Sequence, residues 1–368
     1  MIKLLLLADV NSPHTIKWAT NLVKHNYKIT IFTLSEIETK LFDNFTDIKV
    51  ISHHFNSSTF LSNSGSFKKI KYLTVLSKLK NVINDFKPDI VHAHFASSYG
   101  LLGALTGFKN FVISLWGQDI MLFPTHSPIH KAIFKFNLSR AKVITATSKS
   151  MAEKLKDYST KKAFIIPFGI DIDFFNILST ERPYNGSLVI GTVKNLEEKY
   201  GIDLLIKAFK EVKSINNGKD LKLLIVGKGS KEEELKKLSF ELGIADDISF
   251  NGYVNPDEIN KFHNYMDIEV YLSRAESFGV SIIEASSCRK PVIVSNVGGL
   301  PEVVVNNETG FIVESEDYKS AAEKINSLIV NAELRKEMGN SGREFVINNY
   351  NFESNLKEMI NLYKSILQ

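Results

Sequence analysis

The chain has 368 residues, beyond the size at which a single hydrophobic core ordinarily splits, so two domains are expected. A composition of 44% hydrophobic and 23% charged residues with a net charge of +4 excludes overall disorder and argues against a dedicated nucleic-acid partner. The single cysteine, Cys288, excludes an intrachain disulfide and a cysteine-built zinc site, and fits a reducing, cytoplasmic setting.

The opening MIKLLLLADV carries one lysine and is closed early by Asp9, so it reads as a buried first strand rather than a signal peptide. No apolar run approaches the roughly 20 residues that a bilayer span requires. Short apolar runs then recur: KITIFTL, DIKVIS, DIVHAHF, FVISLW, KVITATS and AFIIPFG read as strands, with HTIKWATNLVKH and SMAEKLKDY among the helices between them. Two segments stand apart. The Ser- and Asn-rich His54 to Ser66 is expected to be a mobile loop. Phe67 to Lys87 is an amphipathic, lysine-bearing helix, either a solvated face or a contact with anionic membrane or an anionic acceptor.

Near ERPYNGS (Glu181 to Ser187) the pattern pauses at Pro and Gly, as an interdomain linker would, and then restarts with LVIGTV, DLLIKAFKEVKS, LKLLIVG, KEEELKKLSFELG, ISFNGYV, DEINKFHNYM, IEVYLS, VSIIEASS and PVIVSN. Alternating strands and helices imply an α/β architecture: two doubly wound, Rossmann-like domains with parallel sheets, facing across a cleft, with ligands outside the carboxyl ends of the strands. The expected boundaries are 1–180 and 181–345, with a C-terminal helix in 346–368 packing back toward the first domain.

Strand ends in the second half collect small and polar groups. IVGKGS brings Gly227 and Gly229, which permit a tight turn or the close approach of a ligand. GTVKNLEEKYG brings Lys194 and Lys199, either exposed lysines or a pair suited to a diphosphate. RAESFGVSIIEASS then supplies a chain break at SFG before a helix, so the N–H groups of Gly279, Val280 and Ser281 are free to meet an anion. Glu284 lies in an apolar run, where an unpaired carboxylate would cost several kcal/mol, so something polar should meet it. One arrangement accounts for both glutamates: a ribose on Glu284, a diphosphate over the helix start, and a sugar at Glu276.

The segment AESFGVSIIEA resembles the signature of family 4 glycosyltransferases of the GT-B fold, in which two glutamates flank seven residues. The resemblance continues through IIPFGIDIDFF, EKYGIDLLIKAF, VGGLPEVVVNNETGFIV, PDIVHAHF and LWGQDI, and so covers nearly the whole chain. It implies that Lys199 and Lys194 hold the diphosphate and that Glu284 binds the ribose. Glu276 and the backbone of Phe278, Gly279, Val280 and Ser281 would face the donor, near Gly227, while Tyr253 and Val254 in FNGYV would lie along the base. It further implies transfer with retention of anomeric configuration and without a metal or other cofactor.

Two positions depart from the family pattern. Lys194 stands where arginine is usual, giving up the planar bidentate fork. Trp116 stands where many relatives have a histidine, and an indole cannot act as a base. His14, in NSPHT after the first strand, reads either as a cleft residue or as a satisfied structural histidine; with Trp116 and Asp119, in LWGQDI, it completes the residues assigned to the acceptor or the cleft. Asp171 and Asp173 in GIDID read as a turn rather than a metal motif.

The implied activity is a retaining hexosyltransferase. It would move a hexose or N-acetylhexosamine from a nucleotide-diphosphate sugar, UDP favoured and GDP second, to a glycan or lipid-linked acceptor. Two other classes compete with it. A dinucleotide-dependent oxidoreductase requires G-x-G-x-x-G after the first strand, where this chain has ADVNSPHT. A non-catalytic sugar-nucleotide-binding partner on the same fold is opposed by the presence of Glu276, Glu284 and Lys199.

Overall fold

The computed structural model describes residues 1–38, 40–53, 75–179, 182–184 and 186–368. These residues divide into two compact units, Met1–Phe168 with Ser354–Gln368, and Gly169–Glu353. The expected loop at His54 to Ser66 and the first part of the lysine-bearing helix lie outside the described residues. The helix itself is described over Leu76–Phe86, with Leu79 buried and Lys78 and Lys80 exposed.

The first unit is built on β1 (Ile2–Leu7), β2 (Tyr27–Thr33), β3 (Ile48–Ser52), β4 (Ile90–His94), β5 (Phe111–Leu115), β6 (Val143–Ala146) and β7 (Ala163–Ile165). They pair in parallel in the order β3-β2-β1-β4-β5-β6-β7. Helices cover both faces of such a sheet, so its central strands read as continuous apolar runs rather than alternating ones. Leu4 to Leu7 are all fully buried, as that rule demands. The strand order reverses between β1 and β4, the switch point at which open α/β sheets bind ligands.

The helix Phe352–Leu367 supplies the last residues of this unit. Its Tyr363 hydroxyl meets His92 Nδ1 at 2.6 Å, His92 Nε2 meets Ser114 Oγ at 2.7 Å, and Ser114 Oγ meets Thr145 Oγ1 at 2.6 Å. This buried polar chain runs under β4, β5 and β6 and ties the C-terminal helix to the sheet.

The second unit is built on β8 (Leu188–Val193), β9 (Leu221–Val226), β10 (Ile248–Gly252), β11 (Ile268–Tyr271), β12 (Val292–Ser295) and β13 (Gly310–Val313). They pair in parallel in the order β10-β9-β8-β11-β12-β13, with the switch point between β8 and β11. Its core gathers Leu205 and Phe209 from the helix Ile202–Ile215, Leu223 and Ile225 from β9, and Ile325 and Leu328 from the helix Tyr318–Val330.

The units separate at Phe168, not at residue 180. GIDID belongs to the second unit because Ile170 N–H donates to the Tyr350 carbonyl at 2.9 Å and Phe352 N–H to the Ile170 carbonyl at 2.9 Å. The Pro-Gly pause farther on is anchored too: Arg182 grips both oxygens of Asp267 at 2.9 and 2.7 Å.

Candidate functional site

The switch point of the second unit decides which loops meet. β8 leads straight into Lys194 and β11 into Ser273 to Ser277, so their carboxyl ends deliver Lys194 and Glu276 to one place. Lys194 Nζ lies 2.5 Å from Glu276 Oε2, and both side chains are largely buried, at 11% and 15% exposure. The other carboxylate oxygen of Glu276 accepts from the Ser277 N–H at 3.2 Å. Lys194 and Lys199 both lie over the Tyr200 ring, 4.9 and 4.7 Å from its centroid. The Lys199 carbonyl accepts from the Arg274 N–H at 2.8 Å, which fastens the lysine loop to the loop that carries Glu276.

Backbone packing holds this arrangement. Gly298 adopts φ +52°, and a Cβ there would stand 1.8 Å from the Glu276 carbonyl oxygen. Gly227, at φ +137°, faces the Lys194 carbonyl, 2.0 Å from where its Cβ would be. What Gly227 admits is therefore the neighbouring strand end of its own chain, the tight turn that was one of its two expected roles.

Gly279 caps the helix Val280–Ser287 in the left-handed conformation, φ +98°. A helix start of this kind presents the N–H groups of Gly279, Val280 and Ser281 with positive dipole outward. The Phe278 ring is turned away into the protein, edge-on to Tyr350 at 5.6 Å, so only its backbone is offered to the site.

Glu284, one turn into that helix, has 16% of its side chain exposed. The polar partner required by its apolar surroundings is His263, whose Nε2 lies 3.6 Å from Glu284 Oε2. His263 is fully buried and turns Nδ1 to both oxygens of Glu269, at 2.8 and 3.1 Å. The Tyr271 hydroxyl donates its one proton to Glu269 Oε2 at 2.6 Å, and its oxygen lies 3.1 Å from the Ser281 carbonyl. Burial alone would push the imidazole pKa down, but the two carboxylates outweigh it and hold His263 up at about 9. The sequence reading passed over this group. Its signal was a glutamate within the apolar strand IEVY, four residues after a histidine-bearing helix.

Tyr253 and Val254 follow β10. Tyr253 is exposed, with Lys228 Nζ 5.2 Å over its ring, while Val254 packs on the cluster of Val189, Val193 and Met266. In GIDID, Asp171 Oδ1 accepts from the N–H groups of Asp173 and Phe174, both at 3.0 Å, the bonding of a turn. Among the described residues, no three His, Cys, Asp or Glu side chains are grouped to hold a metal.

The first unit brings together His14 and Trp116, and adds His94. His14 stacks on Phe168 at 3.7 Å and meets Trp116 edge-on at 5.8 Å, and Trp116 lies over His94 at 4.3 Å. Burial, with Lys17 adding to it, lowers the His14 pKa to about 3, so its ring is neutral at physiological pH. Asp119 is not offered to a ligand. Its carboxylate is taken by the N–H groups of Ala96 and Gly117 at 2.8 Å and of Trp116 at 3.2 Å, which clamps the loop after β5.

Residues 174–345 match the family model for glycosyl transferases group 1, and residues 3–148 the model for glycosyl transferase 4-like proteins. An uncharacterized glycosyltransferase of Methanocaldococcus jannaschii is 30% identical over 283 residues, 76% of each chain. The chain belongs to the group 1 glycosyltransferases. The capsular polysaccharide biosynthesis glycosyltransferase CapM of Staphylococcus aureus is similar to this glycosyltransferase at 31% identity over 273 residues, 73% of this chain and 68% of its own. Among solved structures, HepE of Anabaena in complex with UDP-glucose superimposes with a TM-score of 0.80 at 17% identity, over 99% of this chain and 100% of its own. The architecture is the GT-B fold, with two Rossmann-like α/β domains.

Proposed function

We propose that this glycosyltransferase moves a hexose or N-acetylhexosamine, with retention, from a nucleotide-diphosphate sugar to a glycan or lipid-linked acceptor. The reaction would serve the synthesis of cell-surface polysaccharide or glycolipid. The observation that carries the reading is the meeting of Lys194, Lys199, Glu276 and an open helix start at one switch point. HepE, a neighbour on the same fold, was solved with UDP-glucose, which supports a UDP-sugar as donor, and CapM is named for capsule synthesis, which supports a polysaccharide product.

In this reading Glu284 holds the ribose hydroxyls, and the diphosphate lies over Gly279 to Ser281 with Lys199 and Lys194 beside it. The donor sugar faces Glu276. The bond from the anomeric carbon to the diphosphate breaks as the acceptor oxygen adds to the same face, through an oxocarbenium-like state. A diphosphate oxygen takes the acceptor's proton, and the nucleoside diphosphate leaves. The charge of the leaving group is met by two ammonium groups and the helix start, so the reaction proceeds without a divalent metal.

A thermal-shift screen with UDP, GDP, ADP and their sugars tests the donor assignment. A ligand at 100 times its dissociation constant adds about 2.7 kcal/mol of stability, and UDP with UDP-sugars should give the largest shift. Equal shifts from all three nucleotides, or none, would contradict it.

A further inference from the structure

His263 and Glu269 are ionisable, fully buried, and outside the set of residues that would touch the donor. Such a pair needs a reason, since apolar residues of the same volume usually serve a core at least as well. The geometry supplies one. Both imidazole nitrogens face carboxylates: Nδ1 faces Glu269, and Nε2 faces Glu284. A neutral imidazole would present a lone pair to one of them, so the arrangement requires the doubly protonated ring. Glu269 is satisfied by His263 Nδ1–H and by the Tyr271 hydroxyl, whereas Nε2 has no hydrogen-bond partner. The one uncommitted hydrogen in this buried group therefore points at Glu284.

We propose that His263, anchored by Glu269, is a positioning residue for Glu284: it keeps that carboxylate ionised and aims it at two vicinal hydroxyls of the donor's ribose. The inference rests on the reading of Glu284 as the ribose-binding group. The titratable groups around the ring are Glu269 and Tyr271 on β11, Glu284 and Cys288 at the helix Val280–Ser287, and Lys290 just beyond. The two carboxylates nearest it hold the imidazole pKa up at about 9 against the effect of burial.

The test is a double-mutant cycle on the full chain, read by calorimetry with UDP and, in parallel, GDP. Glu284→Gln and His263→Gln should each weaken nucleotide binding, the latter by about tenfold, the effect of losing a neighbouring opposite charge that keeps the carboxylate ionised. The double variant should bind no more weakly than Glu284→Gln alone, because His263 acts only through that carboxylate. Additive losses, or an unchanged affinity in His263→Gln, would overturn the inference. An unchanged affinity in Glu284→Gln would instead overturn the assignment of Glu284 itself. A measurement on the unmutated protein covers the case in which His263→Gln does not fold. With ¹⁵N-labelled histidine at about pH 7.5, both ring nitrogens of His263 should carry protons. A neutral ring would sink the proposal.

Discussion

Lys199→Ala isolates the charge on the departing diphosphate. Among the described residues Lys199 makes no ion pair, and its ammonium lies 4.7 Å from the Tyr200 ring centroid. Its carbonyl, which bonds Arg274, is kept by alanine. Folding should therefore lose only the cation–π contact, about 0.5–1 kcal/mol at a partly exposed site. The transition state loses more. A unit charge about 4 Å from the developing negative charge, at an effective dielectric near 20, contributes about 4 kcal/mol. Removing one preorganised charge-stabilising group commonly costs about 10²–10³ in rate, or roughly 3–4 kcal/mol. The two estimates agree, so kcat should fall by about 10²–10³. Turnover with a mass-tagged donor measures the fall, and circular dichroism checks the fold. A Lys199→Ala protein with wild-type turnover would refute the assignment. Lys194→Ala should behave differently, because it leaves Glu276 largely buried and unpaired and so costs stability as well as rate.

Two further outcomes can be measured. The folded-state pKa of His263 is raised from 6.5 to about 9, so protonation of the ring stabilises the fold fully below pH 6.5. That contribution is lost as pH rises through about 9; urea unfolding should show the decline over this window in the wild type and not in His263→Gln. We also propose peripheral membrane contact through the lysine-bearing segment ending at Lys87. It should float the protein with anionic vesicles at low salt and release it at high salt, at about 1 kcal/mol per lysine near the surface. No flotation at low salt would leave Lys78 and Lys80 as a solvated face.

The strands were legible because parallel sheets covered on both faces leave uninterrupted apolar runs such as LLLL and LLIV, and each became a strand. That ligands lie outside the carboxyl ends of such strands was legible too, and with the family resemblance it placed Lys194 and Glu276, 82 positions apart, in one donor site. The ion pair between them was not legible, since it depends on the path of both loops. Gly227 was left open between a tight turn and a ligand's close approach, because a glycine that admits a ligand and one that admits its own backbone look alike in sequence. Asp119 was misread for a related reason: a short loop folding back on a carboxylate leaves no periodic signal. His263 escaped because its contacts join a helix, a strand and a second helix, and pattern reading treats each of these separately.

The central claim is that ammonium groups and a helix start, rather than a divalent cation, carry the leaving-group charge in a retaining transfer. Incubation with a mass-tagged UDP-sugar and a glycan or lipid-linked acceptor in excess EDTA, followed by NMR of the product's anomeric centre, tests it most directly. The account predicts undiminished transfer and the donor's own anomeric configuration. Loss of transfer on chelation with recovery on adding magnesium or manganese, or an inverted anomeric centre, would contradict it.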